Sequence, residues 1–138
     1  MTDHTNFDAI TTVESGRRVL NIEAAALTAF AGQLDASFAA AIDALLAVKG
    51  RVVVSGLGKS GHVARKIAAT FASTGTPSQF IHPAEASHGD LGMLTKDEAA
   101  LVLSNSGETS ELADLIAYTR RYQIPLIGVA ARAESTLM

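Results

Sequence analysis

Four short apolar runs alternate with segments of helical spacing in the second part of the chain. The runs lie at residues 51–55, 78–81, 99–103 and 125–130. Each run is long enough for a strand. None shows the apolar–polar alternation that is typical of a strand with one solvent-exposed face. Strands of this kind, alternating with helices, predict a parallel sheet covered by helices on both faces. The sequence therefore predicts a doubly wound α/β fold.

The segments between the runs carry helix signals. Residues 60–73 predict a helix with apolar side chains four apart on one face: Val63, Ile67 and Phe71. Gly75 and Pro77 then stop this helix. Residues 109–122 predict a helix with three inward side chains: Leu112, Leu115 and Ile116. The polar stretch at 82–94 predicts a loop with one helical turn.

Residues 7–49 predict a helical segment, with a break at Gly32. The α/β core is expected at 51–130, and a length of 138 residues suggests one domain. The last residues, RAESTLM, follow the fourth apolar run without a covering helix. Because many doubly wound sheets have five or more strands, we expect the sequence to be truncated at its C-terminal end.

Composition excludes several classes of function. The formal net charge of −3 gives no electrostatic reason to expect a nucleic-acid partner. With no cysteine, the chain has neither disulfides nor thiolate metal sites. It has no signal peptide and no apolar run near the ~18 residues of a membrane span. We therefore expect a cytoplasmic protein with no membrane partner.

The stretch SGLGKSG at residues 55–61 follows the first strand and has the composition of a phosphate-binding loop. A P-loop requires G-x-x-x-x-G-K-[ST], which would place a glycine where Val53 stands. Gly56, Gly58 and Gly61 do match the dinucleotide pattern G-x-G-x-x-G. That pattern also requires an acid at the end of the second strand, however, and the nearest acid is Glu85 in the loop beyond. We reject the P-loop and regard the dinucleotide match as weak.

Glycines alone could serve only a tight strand-to-helix turn, but they do not explain Lys59. A lysine at the positive end of a helix is unfavourable unless an anion offsets it. A second loop, SNSGETSE, places four hydroxyls near the next helix N-terminus: Ser104, Ser106, Thr109 and Ser110. An N-cap requires only one of them. Because both loops follow parallel strands, together they predict a site for one phosphomonoester.

A third loop, HPAEASHGDLG, contains His82, Glu85, His88 and Asp90. The spacing of these residues matches no usual pattern of metal ligands. Without a functional role, the stretch would be an ordinary polar surface loop. Acid–base chemistry fits better, because histidine titrates near neutral pH and this loop follows the second strand.

Two stretches resemble the sugar isomerase (SIS) domain: GLGKSGHVARKIAATFASTGTPSQFIHPAEASHGDLGML and SNSGETSEL. SNSGET alone marks the broad superfamily. GKSGH followed by FASTGTP and HPAEASHGDLGM resembles, more narrowly, the D-arabinose-5-phosphate isomerase family. The resemblance covers roughly residues 7–130, within a single SIS domain assigned to 1–138.

The resemblance implies a doubly wound sheet of five parallel strands and an isomerase that interconverts D-ribulose 5-phosphate and D-arabinose 5-phosphate. That reaction leads to Kdo, a sugar of lipopolysaccharide, and requires no cofactor and no metal. The resemblance also implies a homotetramer. It assigns the phosphate to Ser104, Asn105, Ser106 and Thr109, with Gly58, Lys59 and Ser60 on the other side. Positions that the family treats as catalytic or substrate-binding are matched by Lys59, His88 and Glu111.

The chain departs from the family pattern after residue 138. There the family continues with another strand, a further helix and a second active-site histidine, and most members then carry CBS domains. We therefore expect weak or no activity from residues 1–138 alone. A non-catalytic SIS sensor of a phosphosugar and an isomerase of another sugar phosphate remain alternatives. The presence of Lys59, His88 and Glu111 favours the enzyme, and which residue is the general base stays open.

Overall fold

The computed structural model of the chain describes residues 9–138. It divides into two compact units, one ending at Ala39 and one running from Ala40 to Met138. The first two residues of the predicted helical segment, 7 and 8, lie outside the described part.

The first unit consists of helix α1, Ala9–Ala31, and the start of helix α2, Ala36–Leu46. The predicted break at Gly32 is confirmed, because α1 ends directly before it. The Asp35 carboxylate then accepts hydrogen bonds from the Ser37 backbone N–H at 2.8 Å and the Ser37 hydroxyl at 2.6 Å. These bonds satisfy a free donor at the start of α2, as an N-cap does.

The second unit contains the parallel α/β arrangement that the sequence predicts. Its elements after α2 are β1 (Val52–Gly56), α3 (Gly58–Ser73), β2 (Ser78–Ile81), α4 (Pro83–Ser87), β3 (Ala99–Leu103), α5 (Ala113–Tyr122) and β4 (Leu126–Val129). The strand order is β2-β1-β3-β4, and every pair is parallel. The strand order changes direction between β1 and β3, because β2 lies on one side of β1 and β3 and β4 lie on the other. Open α/β sheets bind ligands at such a switch point.

Both faces of the sheet are buried, as predicted. Alternate residues of β1 point to opposite faces. Val53 belongs to a cluster with Leu112, Leu115 and Ile116, the predicted inward residues of the segment that includes α5. Val52 and Val54 belong to a second cluster, which includes Ala64 and Ala68 of α3. The continuous apolar runs thus reflect a sheet that is covered on both sides.

Three local predictions are corrected in part. On the predicted apolar face of α3, Ile67 and Phe71 pack against the core but Val63 is 51% exposed, and the buried residues of the helix are Gly61, Ala64 and Ala68. The loop at 82–94 contains both α4 and a 3-10 turn at Asp90–Met93. The helix predicted from residue 109 starts with a 3-10 turn, Ser110–Leu112, and becomes α-helical only at Ala113.

Among the described helices, none is individually long and apolar enough to cross a membrane. By length and composition alone, α1 and α2 would pass that test together as one bent pair.

Candidate functional site

The loop after β1 is shaped so that the start of α3 is left open. Gly58, the first residue of α3, has a φ of +57°, which favours glycine. A Cβ on Gly61 would lie 2.7 Å from the Gly56 carbonyl oxygen, so only glycine allows this close approach. Leu57 precedes the helix and provides no side-chain cap. The first N–H groups of α3 therefore remain available to an external acceptor.

The loop after β3 is organised by its own hydroxyl groups. The Ser104 hydroxyl is 2.8 Å from the Thr109 hydroxyl and accepts a hydrogen bond from the Gly107 N–H at 3.0 Å. The Ser106 hydroxyl accepts one from the Glu108 N–H at 3.1 Å. Ser104 is buried, whereas Asn105 and Ser106 are exposed. The loop thus has a fixed turn with polar groups on its outer side.

These two loops meet in a cleft of about 410 Å³ at the carboxyl ends of β1, β3 and β4. Four of the predicted site residues line it: Lys59, Ser60, Ser104 and Asn105. Gly58, Ser106 and Thr109 are not among the lining residues, although Thr109 contacts Ser104. A cation and hydroxyl groups therefore face one space from two loops that are more than forty residues apart in sequence.

The cleft also has an apolar wall that the sequence analysis missed. It is formed by Val63, Leu103, Val129, Ala130 and Ala131. Val63 lies four residues after Lys59, so the helical period could have placed it beside that lysine. The three residues from 129 to 131 could have been found because the carboxyl end of a neighbouring parallel strand meets the same sheet edge.

Two predicted catalytic residues lie outside the cleft lining. His88 is the exposed residue directly after α4, and Glu111 is exposed in the 3-10 turn before α5. The elements that carry them are neighbours, because α4 contacts both that turn and α5. The structure therefore places His88 and Glu111 on adjacent elements, next to the loop that carries Thr109.

The Glu111 carboxyl is held in its charged form. The backbone N–H of Glu111 itself, followed by the Ser110 hydroxyl, lowers the pKa of this carboxyl below its ordinary value. The Ser110 hydroxyl donates to the carboxylate at 2.9 Å. At neutral pH the Glu111 side chain is therefore a carboxylate, which is able to accept a proton.

The remaining residues of the third loop have other contacts. His82 accepts a hydrogen bond at Nδ1 from the Ala84 N–H at 3.3 Å and so caps α4. Its ring lies edge-on to Phe80, and the Arg65 guanidinium lies 3.9 Å from the centre of the Phe80 ring. Within residues 9–138 no three His, Asp or Glu side chains are grouped so that they could hold a metal ion.

Comparisons with known proteins agree on the family. The family model described as SIS domain matches residues 45–138. Arabinose 5-phosphate isomerase KdsD of Pseudomonas aeruginosa is 52% identical over 125 residues, which are 91% of this chain and 38% of that protein. KdsD of Escherichia coli K12 is 48% identical over 124 residues, with 90% and 38% covered. The chain thus spans about 38% of the length of these curated relatives.

Solved structures show the same likeness. The E. coli CFT073 protein c3406, in complex with arabinose 5-phosphate, superposes with a TM-score of 0.88 at 39% identity, over 95% of this chain and 70% of that one. A putative sugar-phosphate isomerase from Listeria monocytogenes gives a TM-score of 0.85 at 27% identity, over 96% and 70%.

Proposed function

The chain belongs to the SIS domain family, and we propose that it is the sugar-phosphate-binding domain of an arabinose-5-phosphate isomerase. The observation that carries the proposal is the cleft in which Lys59 and Ser60 face Ser104 and Asn105. The likeness to the KdsD proteins supports the choice of sugar phosphate. The reaction would interconvert D-ribulose 5-phosphate and D-arabinose 5-phosphate through an enediol.

In this proposal the phosphate lies between the two loops. The N–H groups at the start of α3 and the hydroxyls of residues 104–109 donate to its oxygens. Lys59 offsets its charge or that of the developing enediolate. A phosphate anchored in this way fixes the distance from the anchor to the reacting carbons, which lowers the entropic part of the barrier.

Proton transfer would fall to Glu111 or His88. Both lie on elements beside the phosphate loop rather than in the cleft, so the sugar would extend from the cleft towards them. Glu111 is charged at neutral pH and can accept a proton from a carbon. His88 carries an imidazole, the side chain most often used for proton transfer in catalysis, and could act on the sugar ring.

Location, pathway and assembly belong to the same proposal. The enzyme would work in the cytoplasm, supply Kdo for lipopolysaccharide and assemble as a homotetramer. Exposed apolar side chains along α1 support assembly, because burial of apolar surface drives the association of subunits: Val13, Val19, Leu20, Ile22, Leu27 and Phe30.

Proton NMR of D-ribulose 5-phosphate mixed with the 138-residue chain in D2O tests the proposal. Formation of D-arabinose 5-phosphate would establish the isomerase. Binding of D-arabinose 5-phosphate without turnover leaves a phosphosugar sensor as the competing function. A chimera that joins residues 1–138 to the remaining part of P. aeruginosa KdsD then decides, because only an isomerase domain restores turnover. Absence of both binding and turnover would contradict the proposal.

A further inference from the structure

A carboxylate lies inside the loop that is proposed to bind a phosphate. Glu108 stands between Gly107 and Thr109, and its negative charge disfavours an anion nearby. Its side chain is engaged elsewhere: the Thr136 N–H donates to Oε1 at 2.8 Å, and the Thr136 hydroxyl donates to Oε2 at 2.6 Å. Both carboxylate oxygens thus bind a residue 28 positions further along the chain.

Two backbone hydrogen bonds join the same two segments. The Leu137 N–H donates to the Gly107 carbonyl at 3.2 Å, and the Ala131 N–H donates to the Asn105 carbonyl at 3.1 Å. Leu137 is only 3% exposed and packs in the cluster that includes residues of α5. Residues 131–137 therefore form an anchored segment that lies along the loop at 104–109.

The contact is close enough to restrict the sequence of the loop. Gly107 has a φ of +69°, and a Cβ at this position would overlap the Ser135 side chain. Gly107 also donates its N–H to the Ser104 hydroxyl. Any movement of residues 131–137 away from the loop would therefore disturb the groups that orient Ser104.

We propose that Glu108 is a positioning residue for the phosphate site: it fastens the loop at 104–109 to Thr136 and does not itself touch the ligand. The inference rests on the proposed function, because it assumes that this loop binds a phosphate. Its physical basis is preorganisation. A loop that already holds Ser104 and Thr109 in place loses less conformational freedom when the ligand binds.

Because Glu108 is negatively charged, its positioning role predicts a change in affinity opposite to the one expected from charge alone. If only Coulomb repulsion between Glu108 and the phosphate mattered, removing the negative charge should strengthen binding. Loss of the positioning of the loop should instead weaken binding. Titration calorimetry of the 138-residue chain with D-arabinose 5-phosphate should show binding about tenfold weaker for Glu108→Ala, and an intermediate loss for Glu108→Gln. The matched control is Glu134→Ala, which removes the same charge from the anchored segment and should leave affinity unchanged or slightly higher.

Thr136→Val tests the other side of the contact while keeping the shape of the side chain. It removes the hydroxyl donor but not the N–H, so it should weaken binding less than Glu108→Ala. The double variant should bind no more weakly than Glu108→Ala alone, because both changes act through one contact. In amide spectra, shifts should be confined to residues 104–109 and 131–137, which also shows that each variant is folded.

The outcomes separate this inference from the proposed function. Failure of the wild-type chain to bind D-arabinose 5-phosphate would overturn both. Binding by the wild type, together with equal or tighter binding by folded Glu108→Gln and Thr136→Val, would overturn the positioning role alone.

Discussion

The hydroxyls of Ser104 and Thr109 lie 2.8 Å apart and close the loop after β3 across five residues. Ser104 directly follows the buried strand β3, and Thr109 precedes the turn that leads into α5. The hydrogen bond therefore links the end of β3 to the segment that leads into α5. It places two hydroxyls beside the same cleft edge, where Lys59 approaches from the opposite loop.

Thr109→Val should weaken binding of D-arabinose 5-phosphate by about tenfold, because it removes a hydroxyl while preserving the side-chain shape. Thr109→Ser keeps the hydroxyl and should bind within about threefold of the wild type. Calorimetric titration of both variants provides the measurement. Equal affinity of the Val and Ser variants would exclude the Thr109 hydroxyl from the site.

Lys59→Ala should weaken D-arabinose 5-phosphate binding by about 10- to 100-fold, since a charge-assisted hydrogen bond contributes about 1.5–3 kcal/mol. The control is Lys96→Ala, which removes the same charge before the start of β3, at the opposite edge of the sheet from the cleft. Repeating the titrations at higher salt should reduce the difference between the wild type and Lys59→Ala, because salt screens the attraction. A salt-independent difference would argue against a charge contact.

Glu111→Gln and His88→Asn should each lower turnover by about 100-fold or more in the chimera with P. aeruginosa KdsD, if they move protons. Affinity for the sugar phosphate should change little, because neither residue lines the cleft. Asp114→Asn, a loss of charge in the first turn of α5, is the matched control and should leave turnover unchanged. A near-normal rate in Glu111→Gln or His88→Asn would remove that residue from the proton-transfer step.

The parts of the structure that depend on local patterns were predictable from the sequence. The apolar runs at 78–81 and 99–103 coincide with β2 and β3, because a strand buried on both faces leaves a continuous signal. The meeting of Lys59 and Ser104 followed from the rule that parallel strands end at one edge. Of the predicted apolar face of α3, Ile67 and Phe71 pack against the core, whereas Val63 lines the cleft. The sequence pattern did not reveal that the most buried residues of this helix are the small ones, Gly61, Ala64 and Ala68.

Contacts between distant segments left no comparable signal. Glu108 and Thr136 are 28 residues apart, and neither residue type nor spacing indicates that they meet. Nothing in the sequence distinguishes Glu108 from Asp114. Only the contact of Glu108 with residues 131–137 in the folded chain separates the two acids. The roles of His88 and Glu111 stay predictions. The elements that carry them are adjacent, but adjacency alone does not place both side chains on one substrate.

Arg51→Ala should lower the free energy of unfolding by about 1–3 kcal/mol, because it leaves the carboxylate of Glu98 buried without its cation. The Arg51 guanidinium lies 2.6 Å from Glu98 Oε1, and Glu98 is 4% exposed, whereas the Arg51 side chain is 41% exposed and partly screened. Arg51 also donates to the Gln79 side chain at 2.8 Å and so joins the starts of three strands. Urea unfolding of this variant, with the exposed Lys66→Ala as control, measures the effect. Equal stability of the two variants would contradict it.

Glu108 should also make the stability of the loop depend on pH. The Thr136 hydroxyl, then the Thr136 N–H and the charge of Arg132, lower the pKa of the Glu108 carboxyl below its ordinary value of 4.5. A carboxyl whose pKa is lower in the folded state contributes stability that is fully present above 4.5 and lost as pH falls through the folded value. Thermal unfolding from pH 7 to pH 3 should therefore show the wild type more stable than Glu108→Gln at neutral pH, with the difference shrinking below about pH 4.5. A difference that stays constant down to pH 3 would mean that Glu108 is not held by Thr136 through its charge. Glu134→Gln provides the control, because the Glu134 side chain is exposed and should not show this loss.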